Sequence, residues 1–289
     1  MNVVPLTGFT GAELTHVDLA SPITGALADE LRQALATSHV LVVRDQHLTI
    51  DQQRAVTAVF GACAQLPYVT PMPEYPDVIA VLKEAEEVGG GVFGGDWHSD
   101  FSFLANPPAG SVLSAVEVPP VGGDTVWANQ EAAYRTLPDR LREIVDGVDG
   151  FHTGAPYGVA HAPPDDQRSG ASIRMSRGDP DADREVGHPA VITSPITGER
   201  SLFLNPIYTT RLSSMTPDES APVLAELYRH ATRPDVCCRH RWRVGDVVIW
   251  SNRTTMHYAT NDYDGHRRLL HRTAFDGLPP VQSRPIARD

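Results

Sequence analysis

The chain is short of several things. It has three cysteines, Cys63, Cys237 and Cys238, and two of them are neighbours. No disulfide framework can be built from that set. No zinc-ligand spacing and no partner pattern for nucleophilic catalysis accompany them, so they read as structural thiols in a reducing setting. Basic residues are also scarce: 24 Lys and Arg stand against 36 Asp and Glu, a formal net charge of −12. A phosphate backbone or an anionic membrane surface calls for a basic face, so neither nucleic acid nor a membrane is expected as a partner. No apolar run approaches the roughly 18 residues of a membrane span, and the first residues lack the basic start and long apolar stretch of a signal peptide. A cytoplasmic location is the expectation. The one glycosylation sequon, at Asn252, reads as chance.

What is present describes a folded protein. Hydrophobic residues make up 41% of the 289 and charged residues 21%, enough for a sizeable core in one domain over 1–289. Glycine (23) and proline (24) are frequent, which favours short elements and many turns. Ile23, Leu27, Leu31 and Leu35 form an i, i+4 stripe, predicting a helix over 21–38. Thr49 with Gln52, and Thr216-Pro217 with Glu219, are capping-box starts for helices over 49–60 and 216–229. A further helix or pair is expected between Asn129 and Val145. Strand-like runs stand at 40–43, 78–82, 111–113, 202–204, 247–250 and 269–270. The pattern predicts a mainly β chain with flanking helices (α+β), built on an antiparallel, jelly-roll-like core. The segment at about 158–189, poor in large apolar residues, is expected to be a flexible lid or a solvated insertion. The glycine-rich 84–95 reads as a flexible loop leading into the next motif.

Three constellations carry chemistry. In Trp97-His98-Ser99-Asp100, strand alternation would put His98 and Asp100 on one face, two-thirds of a 2-His-1-carboxylate metal site. Alone, His-x-Asp is equally an exposed histidine beside a turn-forming aspartate. His257, after the buried run 246–250, could be the third ligand or a packed core histidine. Arg268 and Arg272 share a strand face around Leu270. Aimed into one pocket they would call for an anion, a carboxylate being the natural bidentate partner; aimed outward they would be a basic edge.

Taken together these motifs closely resemble the TauD/TfdA family of Fe(II)/2-oxoglutarate-dependent dioxygenases. The resemblance covers nearly the whole chain: Val40 to Gln46 with Phe60-Gly61, Trp97 to Asp100 with Phe103, Gly122-Gly123-Asp124-Thr125-Val126-Trp127-Ala128-Asn129, and Asn252-Arg253 through Arg272. It implies a double-stranded β-helix fold of the cupin type. It implies His98, Asp100 and His257 as iron ligands and as the catalytic centre. It implies Thr125 and Arg268 as the site for the distal carboxylate of 2-oxoglutarate. Arg272 would face an anionic group of the substrate or help to hold 2-oxoglutarate. The reaction implied is hydroxylation of a C–H bond of a small molecule with O2, while 2-oxoglutarate is decarboxylated to succinate and CO2. Dimers or tetramers are common in the family, so a homo-oligomer is expected.

Members that use taurine carry a His and a Tyr after the Phe-Gly block and an Asn before Trp-His. Here those positions are Leu66, Val69 and Gly94. Losing three polar groups points away from taurine and toward a bulkier substrate, with or without one anionic group: an alkyl sulfate or sulfonate, an aryloxyalkanoate or a biosynthetic intermediate. Tyr68, Phe93, Phe101, Asn205 and Tyr208 are candidates to line the pocket, or are ordinary packing. The rival readings are a non-catalytic small-molecule-binding member of the same fold and a zinc hydrolase using the same histidines.

Overall fold

The computed structural model describes residues 1–160 and 172–282. Two of the apolar runs organise the core. β3 (Val40–Val43) and β14 (Val247–Ser251) pair antiparallel, Val43 opposite Val247 and Val40 opposite Trp250. Alternate side chains of a strand leave on opposite faces. Val40, Val42, Val248 and Trp250 enter one cluster with Leu113, Trp127, Trp242 and Leu270. Leu41, Val43, Val247 and Ile249 enter another with Leu31, Leu35, Val56 and Val59. Both faces are buried, which is why these segments are unbroken apolar runs.

The helices covering the outer face begin at their caps. α1 (Gly25–Ser38) starts at Thr24, whose hydroxyl accepts from the Leu27 N–H. It starts later than 21 because Ser21 and the Ala20 N–H are held by the Asp18 carboxylate in a preceding turn. α2 (Ile50–Ala58) starts at the complete Thr49–Gln52 capping box. Each such cap satisfies otherwise stranded N–H groups and is worth ~0.5–2 kcal/mol.

The major sheet runs β1 (Asn2–Pro5), β2 (Ala12–Thr15), β3, β14, β6 (Gly110–Glu117), β16 (Arg268–Phe275), β4 (Cys63–Ala64), with β5 (Ile79–Lys83) also on β16. Across the interior lies a three-stranded sheet, β13 (Cys237–His240), β7 (Thr125–Asn129), β15 (Thr255–Ala259). Trp127 of β7 and Trp250 of β14 meet in the middle, ring centres 5.8 Å apart. Two sheets closed over one apolar interior form the expected jelly-roll core.

Behind the smaller sheet pack α3 (Gln130–Arg135), α4 (Asp139–Val145) and α5 (Pro217–Ala231), around Ala133, Leu137, Val145, Leu224, Leu227 and Met256. The helical stretch between 129 and 145 is thus a pair. α5 opens on its Thr216–Glu219 box with Pro217 in the first position, and it runs to Ala231, two residues past the expectation. β8 (Asp149–His152), β9 (Val186–Pro189) and β12 (Thr209–Leu212) form another small sheet, and β10 (Val191–Thr193) with β11 (Arg200–Leu202) a hairpin.

Of the segment 158–189, residues 161–171 lie outside the described residues. The part from 172 onward is tied down. Met175 bridges Val69, the Thr70 N–H donates to the Arg174 carbonyl (2.9 Å), and the Ser176 N–H to the Tyr68 carbonyl (2.9 Å). This strap packs Ile173 and Met175, and the 3-10 turn Pro180–Asp183 packs Ala182, into one cluster with Val69, Phe101, Phe103 and Tyr157. Among the described residues no helix is long and apolar enough to cross a membrane.

Candidate active site

His257 sits on β15. His98 faces it through a single antiparallel bridge, the His98 N–H donating to the His257 carbonyl (3.1 Å) and the His257 N–H to the His98 carbonyl (2.8 Å). The strand expected over 97–100 is no longer than this bridge. Asp100 lies in a turn, and Phe101 after it has φ +48. Side-chain bonds replace the ladder here: the Ser99 hydroxyl donates to the Thr255 carbonyl, and the Asn252 amide binds both the N–H and the carbonyl of Asp100. A turn, not strand alternation, therefore carries the carboxylate to the histidines.

The three side chains converge and are buried, with one donor atom from each within 4.8 Å of the others. Nε2 of His98 and Nε2 of His257 stand 3.5 and 3.6 Å from Oδ1 of Asp100. Nδ1 of His98 is 2.7 Å from the Asp96 carbonyl, so that nitrogen carries the proton and Nε2 presents a lone pair. Burial and the neighbouring His98 push His257 well below the ordinary imidazole range, which favours its neutral form. Burial alone would raise the Asp100 carboxyl, but the Arg272 guanidinium beside it outweighs burial and holds the group ionised. A lone-pair nitrogen aimed at a carboxylate oxygen is repulsive unless a cation stands between them. The donor set, two imidazoles and one carboxylate on one side of a cavity, fits Fe(II) with open positions.

Both arginines of β16 are buried, on the same face of the strand. Arg272 pairs through Nη2 with Oδ2 of Asp100 and donates to the Ser111 hydroxyl (3.1 Å). Arg268 donates through Nε to the Gly123 carbonyl (3.0 Å), and its guanidinium lies 5.9 Å from the Trp242 and Tyr263 rings. Among the described residues no carboxylate forms an ion pair with Arg268. Asp124, which favours its charge from a distance, is paired to Arg239 at 2.6 Å. The Thr125 hydroxyl accepts from the Trp242 indole N–H (3.0 Å), which leaves its own proton to donate. The glycine pair explains itself: Gly122 and Gly123 have φ +84 and +68, and a Cβ on Gly123 would meet Arg268 Cδ at 3.1 Å.

A cavity of about 160 Å³ lies over the His98–Asp100–His257 cluster, walled by Phe93, Gly94, Phe101, Tyr157, Met175, Arg177, Ile207 and Tyr208. It abuts a larger one of about 530 Å³ that reaches Arg268, Tyr263 and Lys83, the two sharing Val92, Phe93 and Met175. Of the candidate substrate residues, Phe93, Gly94, Phe101 and Tyr208 line the cavity beside the triad. Leu66, Tyr68 and Val69 pack behind it: Tyr68 stacks on Tyr157 at 4.8 Å, and Val69 meets Met175 of the strap. Asn205 is occupied elsewhere. Its amide donates to Ser102 (2.8 Å), and its oxygen accepts from the N–H groups of Ile207 and Tyr208. Gly94 has φ +77, and a Cβ there would sit 3.2 Å from Cε1 of His98.

Tyr157, Met175, Arg177 and Ile207 escape a reading by periodicity because they stand in loops and in the strap. Their only signal is that two of them fall within 158–189. Burial raises the Tyr157 and Tyr208 phenols, so both stay protonated. The glycine-rich loop is anchored, not free: the Gly89 N–H donates to Asp264, and the Asn261 amide to the Gly90 carbonyl (2.6 Å). Burial pushes Cys63 and Cys237 up to about 11 and Cys238 to about 12, which keeps these thiols protonated and unreactive.

The family model described as "Taurine catabolism dioxygenase TauD, TfdA family" matches residues 2–274. An alpha-ketoglutarate-dependent sulfate ester dioxygenase of Pseudomonas putida is 34% identical over 282 residues, 97% of this chain and 91% of that one. An alpha-ketoglutarate-dependent 2,4-dichlorophenoxyacetate dioxygenase of Cupriavidus pinatubonensis is 32% identical over 300 residues, covering 96% and 99% of the two chains. The crystal structure of a taurine dioxygenase from Burkholderia xenovorans superposes with a TM-score of 0.80 at 33% identity, over 97% of this chain and 92% of that one. The chain belongs to the TauD/TfdA family of Fe(II)- and 2-oxoglutarate-dependent dioxygenases.

Proposed function

We propose that this single-domain dioxygenase hydroxylates an apolar or aromatic molecule carrying one anionic group. The observation that carries the reading is the convergence of His98, Asp100 and His257 at the floor of an aromatic cavity. These three residues are assigned as the iron ligands. Arg268 and Thr125 are assigned to the distal carboxylate of 2-oxoglutarate, a bidentate partner for a buried guanidinium that has no carboxylate of its own among the described residues. Fe(II) with 2-oxoglutarate and O2 supplies the oxidation of a C–H bond, with loss of CO2 and formation of succinate.

The chain's own residues do the rest. Arg272 neutralises Asp100 and keeps it turned toward the histidines. Asp96 fixes the tautomer of His98. Phe101, Tyr157, Tyr208 and Met175 exclude water and hold an apolar body over the metal ligands. Arg177, on the strap at the rim of the same cavity, is assigned to the substrate's anionic end. Sulfate esters and aryloxyalkanoates, named for two relatives, bring an apolar body for the walls formed by Phe93, Phe101, Tyr157, Met175 and Ile207, and fit that description better than taurine, a small zwitterion.

Three free thiols support a cytoplasmic setting. The exposed apolar row Val3, Val4, Leu6 and Phe9, on and beside the edge strand β1, supports a homo-oligomer. The test is succinate formation from 2-oxoglutarate across a panel of alkyl sulfates, aryloxyalkanoates, sulfonates and neutral analogues. At least one anionic member of the panel should stimulate turnover well above taurine. Stimulation by neutral analogues alone would sink the substrate class, and turnover that persists in His98→Ala would sink the metal assignment.

A further inference from the structure

We infer that Asn252, seconded by Ser99, is a positioning residue that sets the direction of the Asp100 carboxylate toward the metal. The inference rests on the assignment of His98, Asp100 and His257 as ligands.

A regular antiparallel ladder continued from the His98–His257 pair would place residue 100 opposite residue 255. It does not continue. The Thr255 carbonyl is taken by the Ser99 hydroxyl at 3.0 Å. The Asp100 N–H donates to Oδ1 of Asn252 at 2.6 Å, and Nδ2 of Asn252 donates to the Asp100 carbonyl at 2.9 Å and to the Pro108 carbonyl at 2.9 Å. One side chain thus grips the peptide groups on both sides of the Asp100 α-carbon. With both fixed, the Cα–Cβ direction is fixed, and Arg272 needs only to orient the carboxylate.

The backbone requires such a grip. Phe101, next in the chain and 2% exposed, sits at φ +48. A side chain in that left-handed region is strained and persists only where the surroundings impose it. The type of residue is also specified. The site needs one acceptor and two donors at the reach of a single amide. Aspartate would set a carboxylate against two carbonyls, and alanine would strand three groups in a place where Asn252 itself is 1% exposed. The same burial closes the sequon to a glycan.

The experiment is an anaerobic titration of Asn252→Ala, Asn252→Asp and Ser99→Ala with Fe(II). It is followed by the visible spectrum on adding 2-oxoglutarate, with Tm measured on each protein. Asn252→Ala and Asn252→Asp should bind Fe(II) about 10- to 100-fold more weakly, the usual cost of losing an outer-shell support, with a shifted or weakened charge-transfer band. Ser99→Ala should lose several-fold. Val145→Ala, a buried substitution in the helical layer, should lower Tm and leave both readouts at wild-type values. Wild-type Fe(II) affinity and spectrum in Asn252→Ala would overturn the inference, whatever its Tm. If the Asn252 variants do not fold, unchanged Fe(II) affinity in Ser99→Ala overturns it. Wild-type affinity in His98→Ala would instead overturn the ligand assignment, and this inference with it.

Discussion

Arg268 and Arg272 stand four residues apart on one face of one strand, and both are buried. One is neutralised by the chain and the other is not. Arg272 has Asp100; Arg268 has a carbonyl, two aromatic rings and a cavity. Desolvating a guanidinium is costly wherever it happens, and the cost is recovered only where an anion meets it. At Arg272 that anion belongs to the fold and serves the metal site. At Arg268 no described residue supplies that anion, and on the proposed assignment a ligand does. On the assignments proposed above, the same residue type maintains the site at one end of the cavity and reads the cosubstrate at the other.

Cutting the pair at Arg272 should have the largest effect. In metal-free protein kept with a chelator, Arg272→Met leaves Asp100 buried without its cation. Breaking such a pair costs ~3–5 kcal/mol, which denaturant unfolding would register. Arg268→Met, of the same size change, should leave the unfolding midpoint of the ligand-free protein equal to wild type or higher. Equal losses in both variants would erase the distinction.

The order should reverse for binding. Losing the cation that receives the distal carboxylate should weaken 2-oxoglutarate by about 100-fold or more, ~2–5 kcal/mol, by equilibrium binding to the Fe(II) form. Gly123→Ala is a gentler break. Its Cβ would meet Arg268 Cδ and Pro119 Cγ, both at 3.1 Å, and its φ of +68 disfavours any side chain. A stability loss of ~1 kcal/mol and several-fold weaker 2-oxoglutarate binding are expected. Unchanged 2-oxoglutarate binding would mean that the glycine pair does not shape that pocket.

The smallest effect belongs to Arg267, one residue before Arg268 and facing outward. It pairs with Glu84 at 2.8 Å and with Glu117 in the open. Exposed pairs contribute little, so Arg267→Ala should match wild type in stability and in 2-oxoglutarate binding. A clear loss in either would show that sequence neighbourhood, rather than burial, governs this strand.

The layered core was legible because hydrophobic periodicity registers burial. The run 40–43 is unbroken because its even residues enter the barrel and its odd residues lie under α1 and α2. Thr49–Gln52 and Thr216–Glu219 mark helix starts because capping is a local bond. The cluster of His98, Asp100 and His257 was legible as residues but not as geometry. Strand alternation offered a reason for His98 and Asp100 to meet, yet the structure uses a bridge, a left-handed Phe101 and the amide of Asn252, none of which leaves a periodic trace. Asn252 read as a chance sequon because its role depends on residues about 150 positions away along the chain. The cavity walls were the least legible part. They come from four separate loops around 93, 101, 157 and 207, and from the strap, where order is set by long-range contacts rather than by pattern.

The cross-tie between His98 and His257 has a consequence for how such a protein can change over evolutionary time. The two donor stretches bind each other directly, backbone to backbone and through Ser99 and Asn252. The loops that carry Tyr157, Met175, Arg177 and Tyr208 lie between them in sequence but take no part in those bonds. The walls can therefore be lengthened, exchanged or recombined while the donors stay in register. A library confined to the wall positions Tyr157, Met175, Arg177, Ile207 and Tyr208 would vary what the chamber admits without disturbing the chemistry at its floor.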